Sequence, residues 1–447
     1  HLDNNVDLKL QGKKINAEIS RIHINSTNSK VAIPIKKILT NGTQQTAWIL
    51  SNDLPYEQDY KNAEISSLTI NKNHYIPERQ LNNNTYQLGN GLFRNNLKLR
   101  FLQDIAESGT ALLLYKPEFA YNYYDGLLGG ISIANSSILA NKYRFKFSPQ
   151  YGVKRKQISG LGFVIADFYK ENSRQYLTRI NLFGSSYHYA PQLRYTVFTP
   201  SLIFYYRPKG IQNKQRSSLK IRHVSVRLDD LPEEDERRGY GVSLASFQSR
   251  KGTALDNFSY KVEAQMSSNF KKLSLNSEYI TYYAPNRRWT MRIFAGTFLS
   301  NNATDNYFDF NVSRVNDYLF QYDLYGRSEA EGFFSQQYIK AEGALRTTGD
   351  LTSANQWLIT AQSATTIWRW VEGYAEIGWV KNSHQNTETH WGTGITFNLV
   401  PDFFEVHFPV YNSNGAVITN NAYAKNIRFQ LSLRPASLAK LFSRSWF

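Results

Sequence analysis

Two residues, Glu376 and Arg327, have the chemistry least at home in their surroundings. Glu376 stands in Gly373-Tyr374-Ala375-Glu376-Ile377-Gly378-Trp379, where Ala375, Ile377 and Trp379 suit an apolar solvent and Glu376 holds the opposite parity. Alternate side chains on a strand face opposite ways, so the carboxylate points away from the apolar side, into an interior. There it either stays hydrated in a wet pore or takes a partner, and arginine can bind it bidentately. Arg327, in Tyr325-Gly326-Arg327-Ser328-Glu329, lies in a long connector able to enter that interior, so an Arg327–Glu376 pair is expected. Other chemistry is sparse. The eight histidines include no His-Glu-x-x-His; His384 and His390 share a loop, and His188 sits between two tyrosines, so no metal site is expected. No Gly-x-Ser-x-Gly elbow, phosphate-binding glycine loop or marked carboxylate pair occurs, and no catalytic residue is expected.

The elements that must position Glu376 alternate in the same way. Ile427, Phe429, Leu431 and Leu433 oppose Asn426, Arg428, Gln430, Ser432 and Arg434. Phe258, Tyr260, Val262, Ala264 and Met266 oppose Ser259, Lys261, Glu263 and Gln265, and Tyr143, Phe145 and Phe147 oppose Arg144, Lys146 and Ser148. An amphipathic helix cannot place five apolar residues at spacing two on one side. Strands are expected at 111–122, 126–135, 142–153, 158–169, 175–189, 194–207, 217–228, 239–250, 257–267, 271–283 and 288–299. Five more follow at 355–368, 372–381, 390–400, 403–411 and 425–434, giving about sixteen, an even number as in single-chain bacterial barrels. The segment 217–228 alternates poorly. The fold class expected is all-β: a transmembrane antiparallel β-barrel preceded by a small β-sandwich, with lipid outside and a polar lumen inside.

Composition agrees with this. Tyrosine (30), phenylalanine (27) and tryptophan (8) supply interfacial girdles, while mean hydropathy is negative and no apolar run is long enough for a transmembrane helix. The absence of cysteine removes disulfides, thiolate catalysis and cysteine–zinc sites. A net charge of +16 would suit nucleic acid, but Arg144, Lys146, Arg179, Lys261 and Arg428 occupy alternate strand positions rather than one helix, and no nucleic-acid partner is expected. His1 opens the chain with no charged-then-apolar leader behind it, which predicts a mature or excised product.

Residues 1–88 differ from the rest, with short strands between Asn-, Gly- and Pro-rich turns, and predict a small β-sandwich on the periplasmic side. Residues 89–110 are expected to link it to a barrel over 111–447, with residues 300–354 as a long inserted loop that enters the lumen or covers its mouth. The tight turns at Tyr124-Asp125-Gly126, Asn269-Phe270 and Pro401-Asp402 are expected on the periplasmic side, and the charged loop 229–238 on the other.

An arginine beside a glycine in a long loop, followed by an acidic-x-Gly strand (Glu376, Gly378), resembles the BamA-like superfamily of outer-membrane insertases and two-partner-secretion barrels. That resemblance implies a lumen loop whose arginine pairs with the acid, here Arg327 with Glu376. The loop motif Tyr325-Gly326-Arg327-Ser328-Glu329 departs from it in placing Gly before Arg, and the acid is Glu rather than Asp. Gly392-Thr393-Gly394-Ile395 and the terminal Trp446-Phe447 are similar to closing strands and the aromatic end of such barrels. A wider resemblance rests on Ile76-Pro77-Glu78-Arg79, Asn82-Asn83-Asn84-Thr85-Tyr86, Phe294-Ala295-Gly296-Thr297-Phe298-Leu299 and Asp317-Tyr318-Leu319-Phe320. Together with Gly326-Arg327-Ser328-Glu329, these resemble the C-terminal half of Bacteroidota (flavobacterial) proteins that fuse a gluzincin aminopeptidase-like domain to an outer-membrane barrel. The resemblance implies that residues 1–88 are an immunoglobulin-like β-domain following the peptidase, and that zinc and catalysis belong to a peptidase half absent here, so this chain carries no cofactor.

The combined expectation is a non-enzymatic outer-membrane barrel. It would anchor or serve a peptidase-like domain as a subunit of an envelope complex, in outer-membrane protein assembly or secretion, with lipid and protein partners. A substrate-selective diffusion channel and the membrane half of a zinc aminopeptidase are the alternatives.

Overall fold

The computed structural model describes residues 8–431 apart from 17, 27–31, 74, 77, 79–82, 89–95, 103–109, 136–141, 171–172, 209–212, 230, 233–234, 254, 286, 348–351 and 401–403. The turn expected at 401–402 and the aromatic end at Trp446 and Phe447 lie outside the described residues. The chain packs as two units: His1–Glu118 with Gly129–Gln150 and Gly162–Asp167, and the remainder.

In the first unit, Leu8–Lys14, Ile19–Ser26 and Tyr56–Lys61 form one sheet, and Gln44–Ile49, Ile33–Leu39, Ile65–Ile70 and Thr85–Gln87 form another. Leu8, Leu10, Ile22 and Ile24 of the first meet Ile33, Ile35, Leu68 and Ile70 of the second in one core, which is the architecture of a sandwich. Glu78 ties its end: the carboxylate accepts the Leu8 N–H (3.3 Å) and the Asn71 and Asn84 side-chain amides (2.5 Å each).

The second architecture is a closed barrel sheet. Its long strands are Thr110–Asn122, Gly126–Ala134, Tyr143–Gly152, Gln157–Tyr169, Gln175–Ala190, Leu193–Tyr206, Arg216–Leu228, Gly239–Gly252, Asp256–Met266, Phe270–Ala284 and Arg287–Asn301. Trp357–Trp368, Val371–Lys381, Glu388–Val400, Phe404–Asn412 and Arg428–Leu431 complete the set. Each coincides with an expected strand to within a few residues, because the period-two pattern is local. Two additions were not foreseen. Gly415–Ala416 adds a two-residue bridge to Phe404–Asn412, and Asn96–Phe101, expected to belong to a linker, pairs in parallel with Thr110–Asn122. The latter carries the same signal over six residues, since Leu97, Leu99 and Phe101 alternate with Lys98 and Arg100.

Exposure is inverted relative to a soluble sandwich. Tyr143, Phe145 and Phe147 are exposed, while Arg144 and Lys146 between them pair with Asp167 (2.7 Å) and Glu118 (2.6 Å). On Val371–Lys381, Glu372, Tyr374, Glu376 and Val380 are buried while Ala375 and Trp379 are exposed. Apolar side chains facing out and charges facing in mark a transmembrane barrel, with hydrocarbon as the outer solvent. No helix of the described residues is long and apolar enough to cross a membrane.

The poor alternation of 217–228 has a physical cause. Ile221 is exposed on the outer face, but Val224, Val226 and Leu228 face inward and are buried, so the apolar parity switches midway along the strand. They pack with Val197, Val242 and Leu244 against Phe308, Tyr318, Leu319 and Phe320 of the long connector. The ladder also corrects the sorting of turns. In an antiparallel run, successive connections alternate ends, so the 122–126 turn, the 228–239 loop and the 266–270 turn share one end. The connection after Val400 is at the other.

Candidate functional site

Between Asn301 and Trp357 the chain leaves the sheet and packs against the inner face of the second unit, forming the short pair Phe310–Asn311 with Ser353–Ala354 and a single 3-10 turn at Phe333–Gln336 among the described residues. Phe308, Phe310, Tyr318 and Phe320 of this connector are buried against the inner face of the wall. Phe310 lies against Gly296, where a Cβ would stand 2.8 Å from the ring, so glycine is what lets the connector approach the wall. Phe294, Leu345, Leu358 and Val380 close a second apolar contact around it.

Polar wall residues then clasp the segment Glu342–Thr347. Arg292 donates to the Glu342 (2.5 Å) and Gly343 (3.3 Å) carbonyls, Thr360 to Gly343 (3.0 Å), and Gln362 to Gly343 (2.8 Å) and Ala344 (2.6 Å). This clasp brings Arg346 and Thr347 onto Glu376, a carboxylate with no side-chain exposure. Glu376 accepts the backbone N–H groups of Arg346 (3.0 Å) and Thr347 (2.7 Å) and the Thr347 hydroxyl. The Arg346 guanidinium stands 3.6 Å from it and stacks over the Tyr374 (4.8 Å) and Tyr338 (5.6 Å) rings. Two consecutive N–H groups aimed at one carboxylate make a small anion nest, reinforced here by a cation.

The expected Arg327–Glu376 pair is therefore corrected. Arg327 binds Asp317 of its own connector at 2.5 Å and donates to the carbonyl of Tyr322 (2.9 Å). Asp317 also accepts the Gln321 (3.0 Å) and Tyr322 (2.9 Å) N–H groups, and Arg327 stacks on Phe320 at 4.7 Å. Burial pushes the Asp317 carboxyl above its ordinary range, and Arg327 pulls against that shift. A tight turn supplies Arg327 with a nearer acid than the barrel wall does. The inward aim of Glu376 stands; its partner is another arginine of the same loop.

Neighbours in the motif anchor the turn. The Tyr325 N–H donates to Gln337 (2.9 Å), the Ser328 N–H to the Tyr124 hydroxyl (2.9 Å) and its hydroxyl to the Tyr189 carbonyl (2.7 Å). The Glu329 N–H closes back on the Gly326 carbonyl at 3.2 Å. Gly378 leaves room for Leu345, whose Cδ1 would stand 3.1 Å from an added Cβ, and Gly392 does the same for the Thr347 side chain.

Three further contacts gave little sequence signal. Lys272 is buried among the rings of Phe270, Phe298, Phe310 and Tyr318, 4.6–5.1 Å from each centroid, and donates to the Tyr318 hydroxyl at 3.2 Å. Lys340 pairs with Glu278 of the wall. Arg428 of the last described strand donates to the carbonyls of Gln336 (3.2 Å), Gln337 (3.2 Å) and Ser313 (3.4 Å). The Tyr338 N–H donates to the Phe429 carbonyl at 2.6 Å, and Phe333 stacks on Phe429 at 4.3 Å. Only the step Leu345-Arg346-Thr347, just before the loop rejoins the sheet, could have marked Arg346 in advance. Among the described residues no group of three or more His, Asp or Glu could hold a metal ion.

No protein-family model matches the chain, and no curated protein does. Among solved structures, CdiB from Acinetobacter baumannii is similar at 12% identity and a TM-score of 0.33, over 67% of this chain and 58% of that one. BamA from Haemophilus ducreyi, in a crystal structure lacking POTRA domains 1-3, is similar at 10% identity and a TM-score of 0.37, over 68% of this chain and 69% of that one. This chain thus matches less than two thirds of the CdiB chain's length.

Proposed function

We propose that this chain is a plugged barrel of the bacterial outer membrane, working without catalysis in outer-membrane protein assembly or secretion with protein partners. Its 302–356 loop keeps the lumen shut and holds the terminal strand until a partner releases it. The observation that carries this reading is the loop's double grip. It is seated on the wall at Glu376 and bound to the last strand through Arg428 and Phe429. A terminal strand held by an internal segment can be freed to pair with an incoming chain, because a released strand edge is a template for β-augmentation. An anchoring role for an aminopeptidase-like domain belongs to the same proposal, on the resemblance carried by the 76–86 and 294–299 stretches. Aminopeptidase activity travelling with the barrel through detergent extraction is its test.

Planar-bilayer recording tests the main reading. The wild-type chain is expected to be silent, and a chain with residues 303–352 replaced by a short linker to give a steady conductance. A wild-type conductance equal to that of the shortened chain would favour a diffusion channel and sink the plug.

A further inference from the structure

Outside the lumen, at the end carrying the 228–239 connection, Arg155, Arg194, Arg227 and Arg238 converge on one cavity of about 560 Å³. The ladder builds it. His188 lies directly across from Arg194, and Thr196 across from Arg227. Arg194 shares parity with Phe198, and Arg227 with Ile221, so both arginines stand on the outer face, beyond exposed apolar residues of their own strands. Arg155 comes from the turn before Gln157–Tyr169 and Arg238 from the end of the 228–239 connection.

Among the described residues, Asp229 is the acid lining the cavity, 3.3 Å from Arg227. Arg194 is oriented by neutral groups, donating to the Ser186 hydroxyl (2.7 Å) and the Ile158 carbonyl (2.8 Å). The Nε of Arg155 is buried with no hydrogen-bond partner. The nearby Asp125 does not offset the arginines, because it is wholly buried against His188 (2.6 Å) and Asn122 (2.6 Å). His188, locked in that way, forms one wall of the cavity. Arg155 and Arg194, with Arg227 beside them, line one space as a receptor for an oxyanion able to accept several N–H groups at once, and phosphate is the common one.

The level of the cavity narrows the source. Arg194 lies four residues beyond Phe198, about 13 Å along the strand at the usual rise and about 10 Å along the barrel axis after the usual tilt. That step leads from the exposed apolar positions of the strand toward the rim of the barrel, the side on which headgroups lie. We propose that this cavity binds the phosphate of an anionic lipid headgroup in the leaflet around this end of the barrel, an inference that rests on the membrane-spanning reading above.

The test uses the full chain refolded in neutral detergent and native mass spectrometry. The probes are diphosphorylated lipid A, phosphatidylcholine and inorganic phosphate. The wild type should retain lipid A and not phosphatidylcholine. The R194Q/R227Q variant should bind lipid A on the order of 10- to 100-fold more weakly, from roughly a factor of five per basic residue near a membrane surface. The R216Q/K251Q variant, altering two exposed basic residues at the opposite end, should bind as the wild type does. Equal retention by the wild type and R194Q/R227Q would overturn the site. Inorganic phosphate binding as tightly as lipid A would overturn the lipid assignment in favour of a free-phosphate site. Heat-modifiable migration on gels, read on every variant, reports barrel folding separately. Its absence in the wild type would strike the membrane reading rather than the cavity.

Discussion

Glu376→Gln is the substitution that most directly separates the observed lock from the pairing expected from sequence. The carboxylate takes two backbone N–H groups, a hydroxyl and the Arg346 charge, all out of solvent. Removing one member of a buried ion pair costs about 3–5 kcal/mol. Spent against the seated loop, that raises the released fraction roughly 100-fold or more, at about 1.4 kcal/mol per decade. Arg346→Gln should cost less, about 2 kcal/mol, because Glu376 keeps its three other donors while the stacking on Tyr338 and Tyr374 is lost. The double variant should fall short of the sum by about 1–2 kcal/mol. Arg327→Gln shares no partner with Glu376, so its effect should add to that of E376Q within about 0.5 kcal/mol. The natural absence of cysteine allows a clean assay: a single Ala341→Cys, at a buried loop position, labelled by a membrane-impermeant maleimide. Labelling rate then tracks the released fraction. Wild-type labelling rates in E376Q, or coupling between E376Q and R327Q in place of R346Q, would refute the assignment.

Gly392→Ala places a methyl against the Thr347 side chain and should mimic E376Q at about 1–3 kcal/mol, whereas Gly378→Ala meets Leu345 and Thr360 side-chain carbons at 3.1 and 3.2 Å, contacts that a small shift relieves, and should label closer to the wild-type rate. Asp317→Asn leaves Arg327 buried without its acid and should expose the 317–327 turn to protease, while the Glu376 contact still protects residue 341 from labelling. Glu78→Ala takes the acceptor from the Asn84 amide and one of two acceptors from the Asn71 amide, which keeps the Ile76 carbonyl, at about 1–3 kcal/mol in all. Limited proteolysis of the full chain should then cut first within residues 8–88, with the heat-modifiable barrel band unchanged.

The lines of the barrel were legible because alternation is written residue by residue. A strand such as Asp256–Met266 meets two solvents, and its odd and even positions state which faces which. The inward aim of Glu376 followed from three neighbours in the same strand. Where a second body replaces one of those solvents, the code is broken. The inner face near Val224 and Val226 turns apolar because the loop lies on it, so that strand alternates poorly in sequence though it is regular in the sheet.

The sequence alone thus determined the strands, their faces and the presence of a long loop holding basic residues. Tertiary structure decided which arginine reaches Glu376 and which stays with Asp317. Both choices depend on the path of some fifty residues through the lumen, set by contacts such as Phe310 on Gly296 and Arg292 on the Gly343 carbonyl. It also decided that arginines from two strands, a turn and a longer connection share one cavity on the outer rim. Facing is a property of neighbours along the chain, whereas partnership depends on distance in space, which closure of the sheet and seating of the loop establish together.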